Sequence, residues 1–261
     1  MNIFVLTDNL AGGNFLAEHG LSYIIAHENK SILFDTGHSD VFIKNAEKLN
    51  INIQTDIDTV VLSHGHWDHG NGLQYIKDKT LITHPNSFIK RYRKKGTLNI
   101  GLDLSQAEIE DRFNLITTRK SYKISDSLFF LGEIPRLNDF EAKSTLFVTE
   151  NGDDDYIIDD SAIVSIENNE LNIITGCSHS GICNIINHAV QVTGISKINA
   201  VIGGFHLKHD NEQTKKTIAY LKFLGVKKIF PSHCTELPAL CAFHKEFNFT
   251  PVKTGMNIHI T

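Results

Sequence analysis

The chain has 261 residues, of which 41% are hydrophobic and 21% charged, as in a soluble globular protein with a sizeable core. Its formal net charge of -5 lacks the basic excess that nucleic-acid binders usually show, so a nucleic-acid partner is disfavoured. No stretch approaches the roughly 20 apolar residues that a membrane-spanning helix needs, so no membrane association is expected.

The first half begins with short β-rich runs. Residues 3–7, 22–27 and 31–34 are predicted strands, and 41–49 has the apolar spacing of a helix. Residues 60–62 form an all-apolar run that is typical of a strand buried on both faces.

The middle of the chain, about 88–127, is the least regular part. We predict that it is an insertion or lid within one domain spanning 1–261. It carries a run of basic residues that predicts either a solvated loop or a contact with a substrate phosphate: Lys90, Arg91, Arg93, Lys94 and Lys95.

Strands and helices alternate in the second half. Strands are predicted at 127–131, 145–149, 156–158, 162–166 and 171–174. Three strand–loop–helix steps then close the chain, with predicted helices at 182–192, 211–224 and 237–246. Each of these steps has a histidine in the loop after its strand, where sites form in layered α/β folds.

His64, His66, Asp68 and His69 lie close together just after the predicted strand 60–62. A loop can turn several of these side chains toward one point, and imidazole and carboxylate are ligands for Zn, Mn or Fe. The spacing therefore predicts a metal site.

The segments SHGHWDHGNG at 63–72 and LFDTG at 33–37 resemble the signatures of the metallo-β-lactamase superfamily, and the resemblance covers the whole chain. It implies an α+β fold, an αββα sandwich of two mixed sheets flanked by helices. It further implies one or two divalent metals, Zn first, with Mn or Fe as alternatives. The implied ligands are His64, His66 and His179 for one metal, and Asp68, His69 and His233 for the other.

This chain departs from the family pattern in one respect. The aspartate that usually bridges the two metals is absent from the loops at 175–177 and 203–206. His206 is a candidate to act as a ligand or catalytic residue instead, and Cys177 is a softer donor nearby in the sequence.

The segments EHGLS at 18–22, GEIPR at 132–136 and GCSHSG at 176–181 resemble one subgroup of the superfamily. It is named for an archaeal dihydropterin synthase that joins a pterin to a ribofuranosyl-aminobenzene phosphate. Its bacterial members are described as metal-dependent hydrolases.

Three functions are compatible with these patterns. The first is a hydrolase in which a metal-activated water, oriented by Asp68, attacks an ester or phosphodiester of a small molecule, which can be phosphorylated. The second is the pterin-transferring synthase, and the third is a metal-binding regulatory protein without turnover. The supporting residues are Asp35 as an acceptor for a ligand imidazole, together with Glu18, Cys177 and Arg136 as structural or substrate contacts.

Location and assembly are less constrained. The N-terminus has no basic n-region, and four cysteines in a chain of this length are typical of reduced thiols. The sequence thus predicts a cytoplasmic protein, and it allows a homo-oligomer.

Overall fold

The computed structural model describes residues 1–96 and 98–260, which divide into two compact units. The first unit takes in Met1–Arg119, Thr145–Asp159 and Lys253–Thr261, and the second takes in Lys120–Ser144 and Asp160–Val252. Thr97, which belongs to the predicted insertion, and Thr261 lie outside the described residues. Among the residues that are described, none of the helices has the length and apolar character needed to cross a membrane.

The strands of the described residues are β1 (Asn2–Thr7), β2 (Ser22–His27), β3 (Lys30–Phe34), β4 (Thr59–Val61), β5 (Lys79–Thr83), β6 (Arg91–Arg93), β7 (Phe113–Thr117), β8 (Tyr122–Ser125), β9 (Leu128–Phe130), β10 (Phe147–Thr149), β11 (Asp154–Asp155), β12 (Ala162–Glu167), β13 (Glu170–Thr175), β14 (Ile198–Gly204), β15 (Lys228–Ser232) and β16 (Asn257–His259). The α-helices are α1 (Val41–Lys48), α2 (Ile53–Asp56), α3 (Trp67–Gly70), α4 (Gln106–Arg112), α5 (Ile182–Thr193), α6 (Glu212–Phe223) and α7 (Leu237–Phe247). Short 3₁₀ turns cover Asn71–Tyr75 and Pro85–Phe88.

The first unit is built on a seven-stranded mixed sheet with the order β16-β1-β2-β3-β4-β5-β7. Its strands are antiparallel from β16 to β3 and parallel from β3 to β7. One core cluster joins Leu33 and Val60 of the sheet to Phe42 of α1. A smaller sheet has the order β11-β10-β6. Because β3 and β4 are parallel neighbours, the chain leaves both at the same edge of the sheet.

The second unit is built on a six-stranded mixed sheet with the order β15-β14-β13-β12-β9-β8. Strands β13, β14 and β15 are parallel, and the others pair antiparallel. Every residue of β14 is buried, as expected for a strand at the centre of parallel pairing. The core includes Ile185 of α5, Leu221 of α6 and Phe243 of α7. Because β13, β14 and β15 are parallel neighbours, the loops that follow them lie together at one edge of this sheet.

Helix α5 lacks a capping side chain of its own, since Gly181 occupies its N-cap. The buried carboxylate of Glu141 takes that role, because it accepts hydrogen bonds of 3.0 Å from the N–H groups of Cys183 and Asn184. Burial raises the pKa of Glu141, and these bonds oppose that shift. A distant acidic residue thus satisfies N–H groups that the first turn of a helix leaves open.

The predicted elements are largely confirmed in both halves of the chain. The strands predicted at 3–7, 22–27, 31–34 and 60–62 and the helix predicted at 41–49 correspond to β1, β2, β3, β4 and α1. The helices predicted at 182–192, 211–224 and 237–246 correspond to α5, α6 and α7. The strand predicted at 156–158 is wrong: the N–H of Ile157 binds Asp155 Oδ1 at 2.9 Å, and Ile157 has a positive φ of 55°. The stretch 88–127 contains α4 and three strands, of which β7 pairs with β5 in the main sheet of its unit.

Candidate metal centre

In the first unit, Asp35 organises the segment that carries the H-x-H-x-D-H motif. Asp35 follows β3 and is fully buried, and it has a positive φ of 56°. Its Oδ1 accepts from the N–H of Ser63, and its Oδ2 accepts from the Ser63 hydroxyl, both at 2.7 Å. His69 Nδ1 also lies 2.7 Å from Oδ2. A carboxylate only accepts, so we assign the ring proton of His69 to Nδ1, which leaves a lone pair on Nε2 for a metal.

The position of the ring proton of His64 can be assigned in the same way. The Ser63 hydroxyl donates to Asp35, so at 2.9 Å from His64 Nδ1 it accepts that ring's proton. His64 Nε2 therefore carries a lone pair. Burial, followed by the neighbouring His69 and His66, lowers the pKa of His64 well below its usual value. His64 is thus neutral, which is the form in which histidine binds metals.

His64 Nε2 and His66 Nδ1 lie 3.0 Å apart, and both residues are buried. Two imidazole nitrogens on one tetrahedral Zn²⁺, each at about 2.0–2.1 Å, would lie about 3.3 Å apart. The separation thus fits two ligands of one ion, with a few tenths of an ångström of adjustment. The donor types fit as well, because neutral imidazoles suit Zn, Fe and other borderline cations.

Asp68 and His69 do not lie in an open loop as predicted. They belong to α3, a single turn for which His66 is the N-cap residue. Asp68 Oδ2 lies 3.2 Å from Nε2 of the exposed His19 and 4.0 Å from His69 Nε2. The Thr36 N–H and hydroxyl both donate to the His69 carbonyl, at 2.7 Å and 3.1 Å. The turn is thereby tied to the end of β3, and the carboxylate of Asp68 lies beside the imidazole of His69.

A buried ion pair holds the His64–His66 segment from its other side. The Gly65 N–H donates to Asp159 Oδ2 at 2.7 Å. Arg91 donates to both oxygens of that carboxylate, at 3.2 Å and 2.9 Å. Gly65 is required here because a Cβ would lie 1.8 Å from the Ser87 carbonyl oxygen. Arg91 is fully buried, so for this member of the basic run both the solvated-loop and the phosphate-contact predictions are wrong.

In the second unit, the loops after β13, β14 and β15 carry the remaining predicted histidines. Ser178, His206 and His233, one in each loop, have positive φ values of 52°, 51° and 51°. Backbone strain of this kind in non-glycine residues clusters at functional sites. The rings of His179 and His206 lie 4.3 Å apart between centroids. Two histidines from different loops are thus neighbours.

Asp160 holds the loop that carries His179. Its Oδ2 accepts from the Ser180 N–H at 2.8 Å and from the Ser180 hydroxyl at 2.5 Å. Burial raises the pKa of Asp160 to about 6, although these bonds and the charge of Arg136 oppose the shift. Arg136 therefore acts on a buried carboxylate of its own unit.

Sequence reasoning missed Cys234, which directly follows His233. A ligand atom from each of Cys177, His206 and Cys234 lies within 4.8 Å of the other two. Burial alone raises the pKa of the Cys234 thiol, but hydrogen bonds with Cys177 and His206 and the charges of His206 and His233 outweigh it. The resulting pKa lies well below the usual value. The Ser-His-Cys spacing was the available signal for this residue.

Glu18 has a local structural contact rather than a visible link to the motif. Its Oε1 accepts from the N–H groups of His38 and Ser39 at 2.9 Å and 3.1 Å. Its Oε2 accepts from the Ser39 hydroxyl at 2.6 Å. Glu18 thus fixes the loop that leads into α1.

The rings of His19 and His38 both lie against Trp67, so this tryptophan packs between histidines beside the motif.

The fold and the donor set are those of a metal-dependent enzyme family, and the chain belongs to the metallo-β-lactamase superfamily. Residues 17–85 match the sequence profile of that superfamily. The predicted superfamily and α+β fold class are confirmed.

Two curated relatives come from Methanocaldococcus jannaschii. One is 7,8-dihydropterin-6-methyl-4-(β-D-ribofuranosyl)-aminobenzene-5'-phosphate synthase, which is 37% identical across 95% of this chain and 92% of its own. The other is an uncharacterized protein, 32% identical across 99% of this chain and 100% of its own.

The solved structure of Tm1679, a metal-dependent hydrolase of the β-lactamase superfamily, superposes with a TM-score of 0.89. It is 31% identical, with 100% of this chain and 99% of that chain covered.

Proposed function

We propose that this protein is a metal-dependent hydrolase that cleaves an ester or phosphodiester bond of a small molecule with water. The observation that carries this is the pair of buried imidazole nitrogens, His64 Nε2 and His66 Nδ1, 3.0 Å apart. Asp68 and His69 are the further proposed ligands from the same motif. The family pattern assigns His179 and His233 to complete the set.

The donor set supports Zn²⁺ first and Mn²⁺ or Fe²⁺ next, since imidazole and carboxylate suit all three. A divalent ion held there lowers the pKa of a water that it binds to about 7 and polarises a carbonyl or phosphoryl oxygen.

Residues of the chain supply the remaining chemistry. Asp68 is proposed to orient the attacking water and accept its proton, and His19, 3.2 Å away, holds Oδ2 of that carboxylate. Asp35 keeps His69 in the tautomer that offers Nε2. His206 stays a catalytic candidate, because it lies beside His179.

The pterin-transferring synthase is the second candidate function. The observation that favours it is the 37% identity to the archaeal synthase across almost the whole chain. One fold can host many reactions, so this identity supports the subgroup more strongly than the reaction. Both candidates use a small-molecule substrate, and a phosphate group on it is compatible with either. The four cysteines are thiols rather than disulfides, which supports our proposal of a cytoplasmic location.

The test compares His66→Ala with His259→Ala in the full chain. His259 is an exposed histidine of β16 that bonds to Asn2, so it controls for the loss of a histidine elsewhere. Each protein is loaded with Zn²⁺ or Mn²⁺, its metal content is measured, and chromogenic esters and phosphodiesters are supplied. We expect His66→Ala to bind less metal than the unaltered chain and to lose turnover while it keeps its circular dichroism spectrum. His259→Ala should retain its full metal content and turnover.

The same proteins are given an activated dihydropterin and ribofuranosyl-aminobenzene phosphate, and the joined product is sought by mass spectrometry. That product without ester or phosphodiester turnover would favour the synthase. Metal binding by the unaltered chain without either reaction would instead indicate a metal-binding regulatory protein. Full metal content and turnover in His66→Ala would refute the proposed site.

A further inference from the structure

Two thiols and an imidazole come together in the second unit, at the carboxyl ends of its parallel strands. Cys177 follows β13, His206 follows β14 and Cys234 follows β15. Their ligand atoms all lie within 4.8 Å of one another. The pairing of Thr175 with Gly203, and of Gly204 with Ser232, keeps these strand ends in register. The three side chains thus come from three segments that the sheet itself aligns.

The absence of a side chain at Gly204 leaves the space that the cluster occupies. A Cβ on Gly204 would lie 2.5 Å from Cys234 Sγ and 2.6 Å from the Gly176 carbonyl oxygen. Any side chain there would displace the thiol. The Gly204 N–H donates to the Gly176 carbonyl at 2.9 Å, and the Ser178 hydroxyl donates to the Gly204 carbonyl at 2.6 Å. The loop after β13 is therefore bonded directly to the end of β14.

The third loop is fixed in a similar way. The Phe205 N–H donates to the Thr235 hydroxyl at 2.9 Å, and Cys234 Sγ lies 3.5 Å from the Cys177 carbonyl oxygen. These bonds connect the residues that flank His206 and Cys234. The ligand atoms are thus held by the scaffold rather than by long flexible side chains, as a preorganised site requires.

His206 supplies an independent observation. Its Nδ1 atom is buried and has no hydrogen-bond partner. A buried polar atom without a partner costs about 1–3 kcal/mol, so such atoms usually have a ligand or a function. The imidazole of His206 also lies within reach of a cation placed beside the two thiols.

We propose that Cys177, His206 and Cys234 bind a thiophilic divalent cation, with Zn²⁺ as the first choice. Thiolate and imidazole are the ligands Zn²⁺ prefers, and two cysteines with one histidine form a known three-ligand set that leaves a fourth position open. Bound at about 2.3 Å for sulfur and 2.0–2.1 Å for nitrogen, tetrahedral ligands lie about 3.5–3.8 Å apart. The cluster can reach that geometry with about 1 Å of closing.

This site would use donors that the H-x-H-x-D-H motif lacks, and it does not rest on the proposed hydrolysis. A reversible Cys177–Cys234 disulfide is the competing use of the same pair of thiols. Both cysteines are thiols here, and the histidine between their loops has no role in a disulfide.

Cobalt titration tests the proposal, because thiolate ligands give Co²⁺ an intense near-ultraviolet charge-transfer band that imidazole and carboxylate do not. The full-length, reduced chain is titrated with Co²⁺, as are Cys177→Ser, Cys234→Ser and Cys241→Ser. Cys241 is an exposed thiol of α7, which makes it the matched control. We expect the band in the unaltered chain and in Cys241→Ser, and its loss or marked reduction in the other two variants.

Alkylation of the unaltered chain covers the case in which a serine variant fails to fold. With Zn²⁺ bound, Cys177 and Cys234 should be protected from iodoacetamide, while Cys241 reacts with or without metal. Peptide mass spectrometry reads each site separately. A titration without a charge-transfer band, or equal alkylation of Cys234 with and without Zn²⁺, would overturn the proposal. So would a Cys177–Cys234 disulfide that forms in air in the presence of excess Zn²⁺.

Discussion

Replacing Arg91 by methionine should be among the most disruptive single changes in the first unit. The guanidinium is completely buried and bonds to both oxygens of Asp159. Its Nε lies 3.1 Å from Asp155 Oδ2, and Nη2 donates to the Asn86 carbonyl at 3.0 Å. Methionine preserves much of the side-chain length but none of the charge. The substitution therefore leaves two buried carboxylates without their cation.

The expected loss follows from that burial. Removing one partner of a buried ion pair costs about 3–5 kcal/mol, because an uncompensated charge stays behind. Native chains are stable by only about 5–15 kcal/mol, so this is a large share. At about 2–4 °C per kcal/mol for chains of roughly this size, the melting temperature should fall by roughly 6–20 °C. The metal affinity of the His64–His66 segment should fall too, since Asp159 holds the Gly65 N–H.

Guanidinium denaturation of the metal-free chain measures the change in the free energy of unfolding, with Lys94→Met as the matched control. Lys94 pairs with Asp154 at 2.7 Å, but both side chains are substantially exposed, so its loss should cost less than about 1 kcal/mol. Adding Asp159→Asn to Arg91→Met should restore part of the loss, because the amide needs no counter-charge. If Arg91→Met is no less stable than Lys94→Met, the ion pair does not stabilise the fold as argued.

Two further substitutions test contacts around the ligand loops. Asp35→Asn should lower Zn²⁺ affinity about 10–100-fold, because the amide cannot accept hydrogen bonds from His69 and both Ser63 donors together. The affinity is measured in competition with a chromogenic chelator. An unchanged affinity would show that Asp35 does not orient His69. Glu141→Ala should lower the free energy of unfolding by about 1–3 kcal/mol, because it removes the acceptor of two buried N–H groups at the start of α5. Glu110→Ala, at an exposed position, is the control. An equal loss of stability in both variants would contradict this role of Glu141.

The parts of the fold that sequence predicted well are those set by local periodicity. Helix α5 was predicted at 182–192 and spans Ile182–Thr193, since its apolar spacing and the glycine that follows act within a few residues. Strand β7 was missed because burial does not alternate regularly along it, so its sequence pattern is weak. It is a strand because its backbone pairs with β5 in parallel, a partner that lies some thirty residues away.

In the candidate site as well, residues close together in the sequence were predicted and contacts between distant residues were not. The four motif residues were found because they lie together in the sequence. Asp35 was predicted to accept a hydrogen bond from a ligand imidazole, and the structure identifies that partner as His69. Arg91 and Asp159 were not recognised as a pair, since 68 positions separate them. A run of basic residues has the same sequence pattern whether one of its arginines is exposed to solvent or buried. Only the pairing of β10 with β6 and β11 explains how this guanidinium meets the two carboxylates.

With the bridging aspartate of the family pattern absent from these loops, the donors proposed here differ in character from a carboxylate. The loops after β13 and β14 provide Cys177 and His206 where that carboxylate was sought, and the loop after β15 adds Cys234. Thiolates are soft ligands that favour Zn²⁺ over Mn²⁺ and Mg²⁺, whereas carboxylates favour the harder ions. The proposed site of Cys177, His206 and Cys234 should therefore discriminate strongly against Mn²⁺, while the imidazoles and carboxylate of the H-x-H-x-D-H motif should accept it more readily. If the proposed cluster binds a cation, its sulfur donors would narrow the choice of metal without any change in the sheet that presents them.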